Sequence, residues 1–405
     1  MIPRRWVHVD PGEYAQVLRW IKNPPNDDKE PVHAFEDSVT SILGLPGVAA
    51  VNSGRQALRL ILEYFKIGAG DEMIVPAYTL NEMLTDVQAM GITLVPADLD
   101  TDTFNITTRS VAQRITSKTK AILALHIFGA PCDIEGLREL ATRRGLYLIE
   151  DCAHALGSTV FGRSTGFWGD AAFFSLETTK TVNTYGGGLV VSHDPELLKQ
   201  AREFNLSQPE GNQSLLKKMK AVRSEQRMFR YRLAYPPLFM LASPRLQPLM
   251  NRLYRGSQKK RKGQERYSAV QARLGLNKLH SLAERLTLRY QRAGLLNSLL
   301  IRDIHPQRIL AGTESTNYFY VVCLPCPAAP IRRQLLYQGI DAGVGNEIMD
   351  NCARQLGYED CTNTDTILER AIALPMFDGI KEKACEQVAK TLNQLVSRIQ
   401  DRSGR

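Results

Sequence analysis

Three stretches of this chain carry residue types that can act together. Leu148-Ile-Glu-Asp-Cys-Ala-His154 ends an apolar run on two acids, Glu150 and Asp151, with His154 three residues on. Phe173-Phe-Ser-Leu-Glu-Thr-Thr-Lys180 ends a second run on a hydroxyl, Ser175, and a lysine, and Gly186-Gly-Gly188 follows. Val51-Asn-Ser-Gly-Arg-Gln-Ala-Leu58 is a polar turn opening a helix, where Ser53, Gly54 and Arg55 offer N–H groups and the helix dipole to an anion. An amine and a carboxylate at two strand ends suit pyridoxal phosphate. The amine of Lys180 bonds the aldehyde, and an acid keeps the pyridine nitrogen protonated, making the ring an electron sink. Each stretch taken singly also has a plain structural reading, as a strand-end acid or a helix cap. Their joint occurrence in this order is what points to the chemistry.

These residues need a scaffold that lines up strand ends. Short apolar runs at 72–76, 93–97, 121–125, 146–149 and 188–192 read as strands. Helical periodicity at 55–65, 80–90, 134–144 and 195–203 falls between or after them. Such alternation predicts an α/β large domain with a mainly parallel sheet covered on both faces. Ligands then collect beyond the carboxyl ends of its strands. From Arg266 one long helical pattern runs through Val270, Leu274, Leu279, Leu282 and Leu286. A smaller α/β unit follows, with a strand at 318–324, a helix at 331–338 and a C-terminal helix through Ile399. The expected division is 1–207 large domain, 208–263 insertion and 264–405 small C-terminal domain.

The chain resembles the sugar aminotransferases of the DegT/StrS type, pyridoxal-phosphate enzymes of the aspartate-aminotransferase fold class (fold type I). The resemblance rests on Gly70-Asp-Glu-Met-Ile-Val-Pro76, Thr103-Phe-Asn105, Gly129, Glu150-Asp151, Gly162-Arg163 and Gly169-Asp170. It continues through Phe174-Ser175, Lys180 and Gly186-Gly-Gly188. It implies that Lys180 is the Schiff-base lysine, Asp151 the pyridine partner, and His154 a neighbour of the cofactor's phenolic oxygen. Ser175 would contact the phosphate, and Ser53, Gly54 and Arg55 would stand at the phosphate clasp. Retention of lysine, where some members carry histidine and dehydrate, implies transamination. The amino donor would be glutamate or glutamine, and the unit a homodimer with active sites at the interface.

Departures from the family pattern are equally specific. Arg55 replaces a threonine, and its alternative reading is a solvated helix arginine. Leu80 stands where an aromatic commonly stacks on the ring. Gln264 is the nearest match to an asparagine that the partner subunit sends to the phosphate. Gly343-Val-Gly-Asn-Glu-Ile-Met-Asp350 replaces the family's sugar-binding loop pattern.

The 405 residues, 43% hydrophobic and 23% charged, describe an ordinary globular chain long enough for more than one core. Met1-Ile-Pro-Arg-Arg-Trp6 has no apolar run behind its arginines, so no secretory leader is read, and the seven cysteines are expected as free thiols in a reducing cytoplasm. Cys323-Leu-Pro-Cys326 is a lone CxxC, and without a second ligand pair it reads as packed thiols rather than a zinc or redox site. The net charge of +9 is unevenly spread: residues 217–262 hold fourteen Lys/Arg against Glu225, a local +13 that leaves the rest at −4. These cations frame an uncharged centre at 233–244 containing Tyr235, Leu238, Phe239, Met240 and Leu241. That pattern suggests peripheral contact with the inner face of an anionic membrane and an amphiphilic or lipid-linked acceptor. The alternatives are a soluble nucleotide-sugar aminotransferase whose segment packs on protein, and a regulator of the same fold that binds nucleic acid.

Overall fold

The computed structural model describes residues 1–24, 29–231 and 265–403. Its centre is a seven-stranded sheet in the order Val48–Val51, Gly188–Ser192, Ala171–Ser175, Tyr147–Asp151, Thr119–Leu125, Glu72–Pro76, Thr93–Ala97. Five of these strands run parallel through neighbouring pairs, from Ala171–Ser175 across to Thr93–Ala97. Gly188–Ser192 is antiparallel to both its neighbours, because the turn after Lys180 folds straight back instead of crossing over.

Both faces of the sheet are covered, and side chains alternate between two cores. Ile74, Ile122 and Leu148 pack on one face with Ile134, Leu137 and Leu140 of the Ile134–Arg144 helix. Met73, Val75, Leu123, Ile149 and Phe173 pack on the other with Ala57, Leu58, Ile61 and Leu62 of the Gly54–Tyr64 helix. Ser53 starts that helix by accepting the Gln56 N–H at 3.2 Å, leaving the helix's first turn pointing at the strand ends.

The smaller unit has an antiparallel sheet, His305–Pro306, Tyr320–Cys323, Ala371–Leu374, Gly343–Val344. The helices Ala328–Tyr337 and Glu382–Ser403 bury Ile331, Leu335, Val388, Leu392 and Val396 against it. The long pattern expected from Arg266 is two helices, Ala269–His280 and Leu282–Leu299, broken at Ser281.

Packing does not divide at residue 264. Ala272, Leu279, Leu282 and Leu286 share a core with Phe35, Val39, Val191 and Phe174, so the chain beyond 264 first completes the large unit. The described part of the 208–263 insertion is likewise packed. The helix Gln213–Arg230 buries Leu215, Met219 and Val222 against Val7, Val17, Tyr185, Val270 and Leu274. The centre at 233–244, the cations from 245 to 262 and Gln264 lie outside the described residues. Among the described residues no helix is long and apolar enough to cross a membrane. All seven cysteines are unpaired, five of them buried.

Candidate active site

The strand Tyr147–Asp151 carries both acids, and its period of two sends them opposite ways. Glu150 is fully buried and works for the fold. It accepts N–H groups of Gly166, Trp168 and Gly169 at 2.6–2.8 Å and pairs with His126 Nε2 at 3.0 Å. With both oxygens so occupied, the His126, Glu150 and Cys152 cluster is a closed structural knot and not an open metal site. Asp151 is buried on the other side, where its carboxylate accepts the Ala153 N–H at 3.0 Å. Burial lifts its pKa to about 6, against the opposing pull of that N–H and of the charges on Lys180 and His126.

Lys180 lies in the turn beyond Ala171–Ser175, its backbone N–H held by Glu177 O at 2.8 Å. Its Nζ sits 4.7 Å from the centre of the Tyr318 ring. The same ring stacks on His154, centroids 4.4 Å apart, and the Tyr318 hydroxyl shares a 2.9 Å hydrogen bond with Thr179. Burial, and then the charge of Lys180, hold His154 well below the usual imidazole range, so the ring is neutral. Burial would raise the Tyr318 phenol, but Lys180, the Thr179 hydroxyl and Arg5 more than offset it and bring it below the usual range. Tyr318 entered the sequence reading only as the start of a strand. It lies 138 residues beyond Lys180, and nothing in its local sequence marks it.

The third stretch closes the floor. Gly187 N–H donates to Asn52 O at 3.1 Å, and Gly187 bridges to Ser53. A Cβ on Gly188 would lie 2.4 Å from Gly54 N and Ser53 C, so only glycine lets the two turns meet. Gly54 in turn lies against Phe174 O and Ser175, which brings the helix start, Ser175 and the glycine turn together. The guanidinium of Arg55 pairs with Asp86 at 3.4 Å, the arginine side chain 30% and the aspartate 55% exposed. Leu80 is 40% exposed at the start of the Asn81–Gln88 helix. The segment that replaces the family's sugar loop docks beside it. Asp350–Asn351 pairs with Tyr78–Thr79, and the Tyr78 hydroxyl donates to Gly345 O at 2.9 Å.

These features fit pyridoxal phosphate. A helix start and a glycine turn meet where a phosphate needs N–H donors, and a buried acid stands where a pyridinium needs a counter-charge. The Nδ1 of His154 and the Oδ1 of Asn52 are buried without hydrogen-bond partners among the described residues, as expected of groups that meet a ligand. Sheet order, lysine turn and small unit together are those of the fold-type-I pyridoxal-phosphate transferases.

The DegT/DnrJ/EryC1/StrS aminotransferase family model matches residues 13–236 and 241–393, and the chain belongs to that family. It is 36% identical over 185 residues to the GDP-perosamine synthase of Escherichia coli O157:H7, covering 46% of this chain and 50% of that protein. It is 38% identical over 170 residues to a UDP-N-acetyl-3-dehydro-alpha-D-glucosamine 3-aminotransferase of Acidithiobacillus ferrooxidans, covering 42% and 46%. The chain thus spans about half the length of the curated relatives it matches. The aminotransferase TlmJ of Streptoalloteichus hindustanus shares the fold over 99% of this chain and 100% of its own, with a TM-score of 0.78 at 22% identity. An aminotransferase of Psychrobacter cryohalolentis does so over 98% and 99%, with a TM-score of 0.78 at 21% identity.

Proposed function

We propose that this protein is a pyridoxal-phosphate aminotransferase that passes an amino group from an amino acid to the carbonyl of a nucleotide-linked keto-sugar. The observation that carries the reading is that Lys180 and His154 meet on the ring of Tyr318, with buried Asp151 close enough to feel the charge of Lys180. Family membership and relatives named for GDP- and UDP-sugars support the acceptor class. The lipid-linked acceptor expected from the basic segment has no such support, and the described part of that segment is a helix packed on protein.

The cofactor, when bound, withdraws electrons from the substrate's α-carbon. Lys180 Nζ would anchor it covalently and, once freed by the amino donor, take and return the α-proton as base and then acid. Asp151 would hold the pyridine proton, and its raised pKa reflects a buried carboxylate awaiting that partner. His154, neutral, would offer Nδ1 or its ring face. Ser53, Gly54 and Ser175 would hold the phosphate, with the backbone N–H groups of the helix start doing most of the binding. A homodimer with shared active sites is part of this proposal by virtue of the family.

The test is single turnover of the enzyme's amino-loaded form, followed by cofactor absorbance, against UDP- and GDP-linked keto-sugars and a long-chain ketone in anionic vesicles. Rapid amination of a nucleotide keto-sugar is expected. Amination of the vesicle ketone with no reaction of any nucleotide sugar would overturn the acceptor assignment and leave the transaminase chemistry standing.

A further inference from the structure

After Lys180 the chain turns back through Thr181–Tyr185 to deliver Gly187 and Gly188 to Ser53 and Gly54. The helix Ala269–His280 grips this turn at two points. Gln271 Nε2 donates to Thr184 O and Gly186 O, both at 3.1 Å. Two helical turns on, Lys278 is fully buried, and its Nζ spends all three donors in one place: Glu13 Oε2 at 3.0 Å, Asn183 Oδ1 at 2.9 Å and His8 O at 3.2 Å. Asn183 Nδ2 donates to the same His8 carbonyl at 3.1 Å. Glu13, also buried, accepts the Tyr185 hydroxyl on its other oxygen. Tyr185 has φ 58°, a left-handed conformation that a bulky side chain adopts only under restraint.

A wholly buried ion pair is a poor source of stability, since desolvation of both charges offsets most of their attraction. What this pair does supply is direction. It ties the N-terminal segment, the Ala269–His280 helix and the turn after the catalytic lysine into one unit, with no polar group of the pair left over. We propose that the Lys278–Glu13 pair is a positioning device for the cofactor site, holding the Asn183–Tyr185 turn so that Lys180 and the Gly187–Gly188 floor keep their spacing. The inference rests on the cofactor assignment and not on the identity of the acceptor.

The experiment compares wild type with the apolar double variant Glu13→Leu/Lys278→Met and with Asn183→Ala, which removes the turn's contact and leaves the pair. Three quantities are measured: the unfolding midpoint of the cofactor-free protein, the dissociation constant for pyridoxal phosphate, and amide exchange across residues 181–188. The double variant leaves the Tyr185 hydroxyl and Asn183 Oδ1 without partners and is expected to lower the midpoint; measured where both proteins are fully folded, it should still bind the cofactor about tenfold more weakly and exchange faster in the turn, the scale of a charge-assisted hydrogen bond lost. Asn183→Ala takes one acceptor from Lys278 and is expected to lower the midpoint less than the double variant while weakening cofactor binding several-fold under conditions where it is fully folded, and it decides the matter if the double variant does not fold. Cofactor affinity and exchange equal to wild type in a folded variant would overturn the proposal. So would an affinity loss accompanied by faster exchange throughout the chain rather than across residues 181–188, since the pair would then be structural.

Discussion

Asp151→Asn should make the cofactor-free protein more stable while ruining it as an enzyme. Burial holds the Asp151 pKa at about 6 in the folded chain, against 3.8 for an ordinary aspartate. A carboxyl whose folded pKa is raised costs nothing below the unfolded value, where it is protonated in both states. As pH rises from 3.8 through 6 the unfolded chain ionises first, and folding must increasingly take up a proton or bury a charge. Two pKa units correspond to about 3 kcal/mol, reached by roughly pH 7 and level above it. An asparagine escapes that cost and still accepts the Ala153 N–H through its carbonyl. Urea unfolding of wild type and variant, both stripped of cofactor, is the assay. Their stabilities should coincide near pH 3.5 and diverge to about 3 kcal/mol in favour of the variant by pH 7.5. Saturating pyridoxal phosphate should reverse the order, because only the carboxylate has a pyridinium to meet. A difference independent of pH, or a variant less stable than wild type at pH 7.5, would refute this account of Asp151.

Three further outcomes follow from the site. Lys180→Ala should lower turnover by at least about 100-fold while circular dichroism and the unfolding midpoint stay near wild type; a few per cent of retained rate would remove the lysine from the proton path. Tyr318→Leu takes away both the face beside Lys180 Nζ and the stack on His154, and should cost about tenfold in kcat, with Tyr318→Phe losing only a few-fold. Equal rates in both variants and wild type would make Tyr318 simple packing. Arg55→Ala should change cofactor affinity by less than about twofold, because its guanidinium is engaged with Asp86 in a partly exposed pair. A tenfold loss by equilibrium dialysis would restore Arg55 to the phosphate clasp.

How far the sequence carried the fold depended on local punctuation. The strands Glu72–Pro76, Thr93–Ala97 and Gly188–Ser192 and the helix Ile134–Arg144 coincide with their expected bounds. Pro76, Gly188 and the capping Asp133 mark an end of three of them, and Pro96 stands next to the last residue of the fourth. Val48–Val51 was not separated from the polar turn that follows it, because two of its four residues are alanines with little strand preference. The antiparallel direction of Gly188–Ser192 depends on where the lysine turn leads, which no periodicity records. Lys180, Asp151, Ser175 and the glycine turn were legible because strand-end chemistry is written in consecutive residues. Tyr318 was not, nor was the buried Lys278–Glu13 pair, whose members lie 265 positions apart and meet only through tertiary packing. In the basic segment the charge count drew attention away from Leu215, Met219 and Val222, whose helical spacing foretold a packed face.

Glu150 and Asp151 stand next to each other in a strand only five residues long, one serving the interior and one proposed for the chemistry. Their division of labour is a matter of parity, odd positions facing one layer and even positions the other. Substitution at either residue damages one function at a time. Loss or gain of a single residue within 147–151 would exchange the two, presenting the longer glutamate to the active site and leaving the amides of Gly166, Trp168 and Gly169 facing a shorter side chain. This strand can therefore vary by replacement but not in length. The stretch Gly345–Met349, between the paired ends Gly343–Val344 and Asp350–Asn351, lies in no strand and bears no such counting rule, which leaves it the freer ground for insertion and deletion.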